Sequence, residues 1–118
     1  MALGVSLAGA VVAVPSANAS GTIEGCPSGY ACLYPQNAGW NGGHPSFMFY
    51  TYGYHNLTNQ FGTHRTFNNQ TGGASMYGCS GYGGSGTLLW GNNAGGWSDQ
   101  NLTPTDSVVL NQSGGFTC

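Results

Sequence analysis

The chain is almost without charge. Its 118 residues include one Arg, Arg65, no Lys, and three acids, Glu24, Asp99 and Asp106, for a formal net charge of −2. Nucleic-acid binding requires cations to neutralise phosphates, and a single Arg cannot supply them. Attachment to an anionic membrane surface fails for the same reason. Glycoside hydrolysis normally uses two flanking carboxylates, and here Asp99 and Asp106 stand seven apart in one loop-rich stretch. No Gly-x-Ser-x-Gly elbow stands out for a serine nucleophile. These missing constellations point to a protein that is not an enzyme.

Other absences bound the fold and the cofactors. The helix formers Glu, Lys and Arg are nearly missing and Leu is sparse, so helices cannot dominate. There is no Cys-x2-Cys pair, and His44, His55 and His64 lack the local spacing of a metal site. The histidines read as satisfied loop or surface residues, and no metal or cofactor is expected.

What is present is glycine, aromatics and cysteine: 22 Gly, seven Tyr, five Phe, three Trp and four Cys. Residues 1–19 form an apolar run that closes on Ala17-Asn18-Ala19. Small residues at those positions suit signal peptidase, although the usual basic n-region is missing. The expected mature chain, 20–118, is a single secreted domain. Its aromatics all follow residue 19 and can build a core, which argues against disorder. An even count of cysteines in a small secreted chain reads as a disulfide framework. Cys26, Cys32, Cys79 and Cys118 allow three pairings. Locality, with the turn-forming Pro27-Ser28-Gly29 between the first two, favours 26–32 and 79–118.

Short β-type runs appear at Tyr30–Tyr34, Phe47–Tyr52, Ser75–Cys79, Thr87–Trp90 and Ser107–Leu110, separated by Gly, Asn, Ser and Pro clusters. That pattern predicts an all-β sandwich or barrel. In Phe47–Tyr52 aromatics fall on both faces, which suggests a strand buried on one side and loop-covered on the other; Phe47, Phe49 and Trp90 are expected in the core. Residues 53–73 read as an irregular loop, with a short helical turn near 57–61. Residues 79–86, with four glycines and two serines, read as a flexible link between two halves.

Two segments echo each other. Leu33-Tyr34 followed by Asn37-Ala38-Gly39 and Trp40 is answered by Leu89-Trp90 followed by Asn93-Ala94-Gly95 and Trp97. A hairpin folded back over its own sheet needs a residue at positive φ, which Gly supplies. An aromatic before the turn can cap it, and a later Ser can satisfy its bent backbone.

In that order these parts resemble the βγ-crystallin Greek key: an aromatic, a short gap, a second aromatic, one residue, Gly, and a distant Ser. Tyr34, Trp40, Gly42 and Ser75 fit a first key, with one extra residue in the gap. Trp90, Gly96 and Ser107 are the nearest matches to a second, with its second aromatic displaced to Trp97. The expected architecture is two Greek keys, about 26–79 and 87–112, forming one two-sheet sandwich stapled by disulfides. The opening "CPSGYACLY" further resembles the small secreted actinobacterial metalloproteinase-inhibitor family, of βγ-crystallin-like fold. Cys26, Pro27, Gly29, Cys32 and Tyr34 occupy its positions, and the resemblance also implies a Cys26–Cys32 disulfide.

The resemblance implies a secreted peptidase inhibitor that binds an extracellular protease stoichiometrically. The inhibitory contacts are not legible; the loops 53–66, with the lone Arg65, and 79–86 are the candidates. The alternative is a structural or cell-surface βγ-crystallin or a glycan-binding module, with Tyr50, Tyr52, Tyr54, Trp40, Trp90 and Trp97 as possible anchors. An antimicrobial toxin is less favoured, for want of cationic charge. Many microbial βγ-crystallins bind calcium through paired Asn/Asp residues. Neither "QTGGAS" before Ser75 nor "LTPTDS" before Ser107 carries that pair, so such sites are expected to be degenerate.

Overall fold

The computed structural model describes residues 21–118; the expected signal peptide at 1–19 lies outside them. Among these residues eight strands are present, numbered here in chain order: β1 Tyr30–Leu33, β2 Phe47–Phe49, β3 Gly53–Asn56, β4 Thr63–Asn69, β5 Ser75–Cys79, β6 Leu88–Asn92, β7 Trp97–Asn101 and β8 Ser107–Asn111. Among the described residues there is no α-helix; two short 3-10 turns, Asn41–Gly43 and Tyr82–Gly84, complete the inventory. The strands form two four-stranded antiparallel sheets, ordered β2-β1-β4-β7 and β3-β8-β5-β6.

The chain therefore divides into two halves of four strands, and each half gives its third strand to the sheet of the other. β3 pairs with β8, with His55 opposite Val108. β7 pairs with β4, with Arg65 opposite Asp99. The halves meet at residues 70–74, not at 79–86. The glycine-rich stretch expected to link them is the connection between β5 and β6, inside the second half. Its glycines serve a folded turn, in which Gly83 has φ +71°.

The expected irregular loop at 53–73 holds two strands, including the seven-residue β4. Its sequence, THRTFNN, hides the strand because its polar residues mask any apolar alternation. Pairing on both sides makes it one: Phe67 lies opposite Cys32 on β1 and opposite Trp97 on β7. Correspondingly, Phe47–Tyr52 is a strand only to Phe49, at a sheet edge, and Phe47 is exposed; Phe49 is the partly buried member that packs on the core. The strand covered on both faces is β1. Ala31 and Leu33 enter the main core with Leu57, Met76, Trp90, Leu102, Val108 and Leu110. Cys32 on its other face packs with Cys26, Tyr34 and Phe67. Each fully buried Leu contributes about 1.5–3 kcal/mol.

Apolar residues are few, and buried amides complete the interior. Asn68 is fully buried. Its Nδ2 donates to the carbonyls of Ala74 and Asn92, both at 3.0 Å, which ties β4 to β6. Asn92 Nδ2 donates to Thr66 Oγ1 at 2.8 Å, and Asn92 Oδ1 accepts from Ser98 Oγ at 2.7 Å. Satisfied in this way, buried amides cost little and fix register. Gly78 on β5 has a steric reason: a Cβ there would lie 2.3 Å from the Trp90 ring.

Cys26 is bonded to Cys32 and Cys79 to Cys118, the pairing that locality favours. Two disulfides in so small a domain are compatible with an extracellular protein.

The two echoed segments do not occupy equivalent places. Residues 34–43 connect the first and second strands of the first half, whereas 90–97 run from the second strand of the second half to its third. Trp90 lies within β6, its ring in the core and its Nε1 donating to Thr105 Oγ1 at 3.1 Å. Gly96 lacks the positive φ expected of it; the neighbouring Gly95 has it, at +85°. The turn that answers Trp40-Asn41-Gly42 by position is Tyr82-Gly83-Gly84.

Candidate functional site

Each half folds the connection between its first two strands into a hairpin carrying a 3-10 turn. In the first half, Gly42 takes φ +63°, as expected. Trp40 sits at the centre of an aromatic cluster, edge-on to Tyr34 at 5.2 Å, Phe67 at 5.4 Å and Trp97 at 5.2 Å. Tyr34 is fully buried and its hydroxyl donates to the Glu24 carbonyl at 2.9 Å. Burial, with Glu24 nearby, pushes its ionisation up to about 12.

Arg65 belongs to this cluster. Its Nε and one terminal nitrogen donate to the two carboxylate oxygens of Asp99 at 2.8 and 2.9 Å. Its guanidinium carbon lies 4.1 Å from the Trp97 ring centroid and 4.9 Å from that of Trp40. The hydrogen bonds from Arg65 hold the Asp99 carboxyl below the usual carboxylate range. Arg65, the weak candidate for an inhibitory contact, is thus a half-buried strand residue whose charge is paired and whose flat face is stacked.

In the second half hydroxyls replace the stack. Ser107 Oγ accepts from the Gly84 amide at 3.0 Å and donates to the Gly81 carbonyl at 2.6 Å. This is the support expected of a distant serine, delivered to the 80–87 hairpin instead of 90–97. Ser80 Oγ accepts from Thr87 N, and Ser85 Oγ donates to the Tyr82 carbonyl. Ser75 does not reach the first hairpin; its hydroxyl donates to Gly115 O at 2.5 Å.

The two loops singled out from sequence meet at one end of the sandwich. Because β3 crosses into the second sheet, the turn that follows it lies beside the 80–87 hairpin. Asn56 Oδ1 accepts from Gly83 N at 2.8 Å and links them. The 57–62 turn is pinned along its length. Leu57 is buried and its amide donates to the Asp106 carbonyl at 2.8 Å. Gly62 N donates to Thr103 Oγ1 at 2.8 Å. His64, buried on β4, holds Nε2 at 2.9 Å from the Phe61 carbonyl and Nδ1 at 2.7 Å from that of Tyr34. Phe61 and Tyr82, each 56% exposed, flank a depression of about 170 Å³ that includes Thr103, Thr105 and Asp106. The arrangement presents two aromatic rings on braced backbone, a geometry suited to docking.

His55 stacks on Phe49 at 4.6 Å, and His44 is exposed. Among the described residues no three His, Cys, Asp or Glu side chains gather as a metal site. Tyr50, Tyr52 and Tyr54 are exposed, as anchors would be, whereas Trp90 is core. The convergence of Phe61 and Tyr82 is not legible in the sequence, because it depends on the strand exchange. The spacing Tyr77, four residues, Tyr82, one residue, Gly84 is there to be read, hidden by the surrounding glycines.

No family model matches the chain, and no curated protein and no solved structure matches it significantly.

Proposed function

We propose that this chain is a secreted, non-enzymatic binding protein of βγ-crystallin-like fold that inhibits an extracellular metallopeptidase. Support for two Greek keys comes from each half laying its fourth strand beside its first, β4 against β1 and β8 against β5. The Tyr77–Tyr82–Gly84 spacing with Ser107 fits the key better than Trp90 and Gly96 do. The inhibitor reading draws on the Cys26–Tyr34 opening, closed by its disulfide.

The observation that carries the reading is the braced end at 57–62 and 80–87. A peptidase cleft accepts a projecting segment, and affinity falls when that segment must be ordered on binding. Here backbone amides donate to the side-chain oxygens of Asn56, Thr103 and Ser107, so little ordering remains. Aromatic side chains such as Phe61 and Tyr82 supply contact area at low entropic cost. The test is the residual activity of a thermolysin-type protease, with a serine protease in parallel, as the purified chain is added. Loss of metallopeptidase activity, weakened by Phe61→Ala, is expected. Full activity of both proteases at excess chain overturns the reading.

A further inference from the structure

His64 is 5% exposed on β4, and both of its ring nitrogens face backbone carbonyls. Nδ1 lies 2.7 Å from the Tyr34 oxygen and Nε2 lies 2.9 Å from the Phe61 oxygen. A carbonyl oxygen only accepts, so each contact requires a proton on the ring nitrogen. Neutral imidazole carries one N–H and imidazolium carries two. Only the cation makes both bonds at once. In the neutral ring one nitrogen lone pair is set against an oxygen, and that contact is repulsive.

The two carbonyls are not equally free to withdraw. Tyr34 is fully buried, and its amide donates to the Arg65 carbonyl at 2.9 Å. Phe61 belongs to the turn 57–62, whose ends are fixed by the Leu57 and Gly62 amides. Between those ends, residues 58–61 have, among the described residues, one backbone hydrogen bond to a residue outside the turn, from His64 to the Phe61 carbonyl. Thr58, Asn59 and Phe61 are exposed.

Charged groups around the ring are few. Arg65 follows it on β4, and successive strand side chains point to opposite faces. Asp99 on β7 is bound to Arg65, the one ion pair among the described residues. Gln100 lies across from His64 on β7. Tyr34 directs its hydroxyl to the Glu24 carbonyl. The turn 57–62 carries no titratable side chain, and Asp106 beside it holds Leu57 through its carbonyl. The second proton on His64 therefore answers to the two carbonyls and not to a carboxylate.

We infer that His64 is a proton-operated latch on the turn that presents Phe61. Protonated, it donates to both carbonyls and fixes the turn. Neutral, it keeps the bond to the buried Tyr34 carbonyl and releases that of Phe61. Histidine changes charge between about pH 5 and 8, so acid fastens the turn and alkali frees it. The added bond is present below the titration and lost as pH rises through it. Its consequence for peptidase binding rests on the function proposed above; the latch itself does not.

The test is amide protection in the isotope-labelled chain alone, from about pH 4 to 8, alongside the ring shifts of His64. Protection factors divide out the intrinsic pH dependence of exchange. They are read at the Gly62 amide beside Phe61, and at the Gly84 amide, which donates to Ser107 on the neighbouring hairpin. Gly62 protection should fall about tenfold as His64 loses its proton, the value of one hydrogen bond from a charged donor, with Gly84 unchanged. His44→Ala, at an exposed position, should leave the profile intact, and His64→Gln should flatten it. Where His64→Gln fails to fold, the coincidence of the two titrations in the native chain decides. Gly62 protection that ignores the His64 titration, or a fall that Gly84 shares, overturns the inference. So does a His64 ring that stays neutral across the range. With a thermolysin-type protease added, the dissociation constant should rise over the same step. Absence of any complex overturns the peptidase reading alone, since the exchange profile is measured without protease.

Discussion

The hairpins at 34–46 and 80–87 hold the same place in their halves and make the same kind of turn, with Gly42 at φ +63° and Gly84 at φ +72°. They are fastened by different chemistry. The first is clamped by rings and a single ion pair: Trp40 among Tyr34, Phe67 and Trp97, with Arg65 stacked and bound to Asp99. The second is laced by hydroxyls, with Ser107 bridging Gly81 and Gly84, and each hairpin follows a strand that carries a disulfide-bonded cysteine, Cys32 or Cys79. A backbone turn specified by glycine can thus be secured by either means. The hydroxyl-laced hairpin keeps its aromatic, Tyr82, free for the surface; the ring-clamped one uses up Trp40.

The contrast can be broken most severely at the disulfides. Replacing Cys79 and Cys118 by Ala opens a 39-residue separation and should cost about 4 kcal/mol in the chain-entropy model. Replacing Cys26 and Cys32, six apart, should cost about 2 kcal/mol. Equilibrium denaturation of the two double variants measures the difference, and equal costs would contradict the loop-length account. Next in size, Trp40→Ala should lose about 3 kcal/mol through the vacated ring contacts, with amide exchange quickening at 34–46 before 80–87. Ser107→Ala should lose about 2 kcal/mol, since it leaves a carbonyl and an amide unpaired, and there the exchange should quicken at 80–87 first.

The smallest effect is electrostatic and confined to the first hairpin. Asp99 has its folded-state ionisation lowered by hydrogen bonds from Arg65. The stability this adds is present above the ordinary Asp value and is lost as pH falls through the lowered folded value. Because the pair is partly exposed, the change should not exceed about 1 kcal/mol. Denaturation midpoints followed from pH 5 downward should show it in the native chain and not in Arg65→Met. At the alkaline end the sign reverses. Tyr34, pushed up to about 12, should cost stability as pH rises from the ordinary tyrosine value, and Tyr34→Phe should remove that loss.

Apolar, β-branched or aromatic composition made β1, β5 and β8 legible, and locality was enough for the disulfides. The polar strands β3, β4 and β7 were not, because what makes them strands is non-local. Asn68 and Asn92 are tolerable inside only when the other sheet supplies Ala74 O, Thr66 and Ser98. The same long-range pairing hid the candidate site. Phe61 and Tyr82 stand 21 residues apart and meet only because β3 leaves its own sheet. The echo of Asn37-Ala38-Gly39 at Asn93-Ala94-Gly95 was a repeat of turn chemistry at two different places in the topology.

The braced end at 57–62 and 80–87 is the contact proposed above for a metallopeptidase. Hydrogen exchange of the chain, alone and with an excess of a thermolysin-type protease, tests it directly. Protection confined to 57–62, 80–87 and the adjoining 103–106 is the predicted result. Protection centred on any other face, or no protection anywhere, would contradict it.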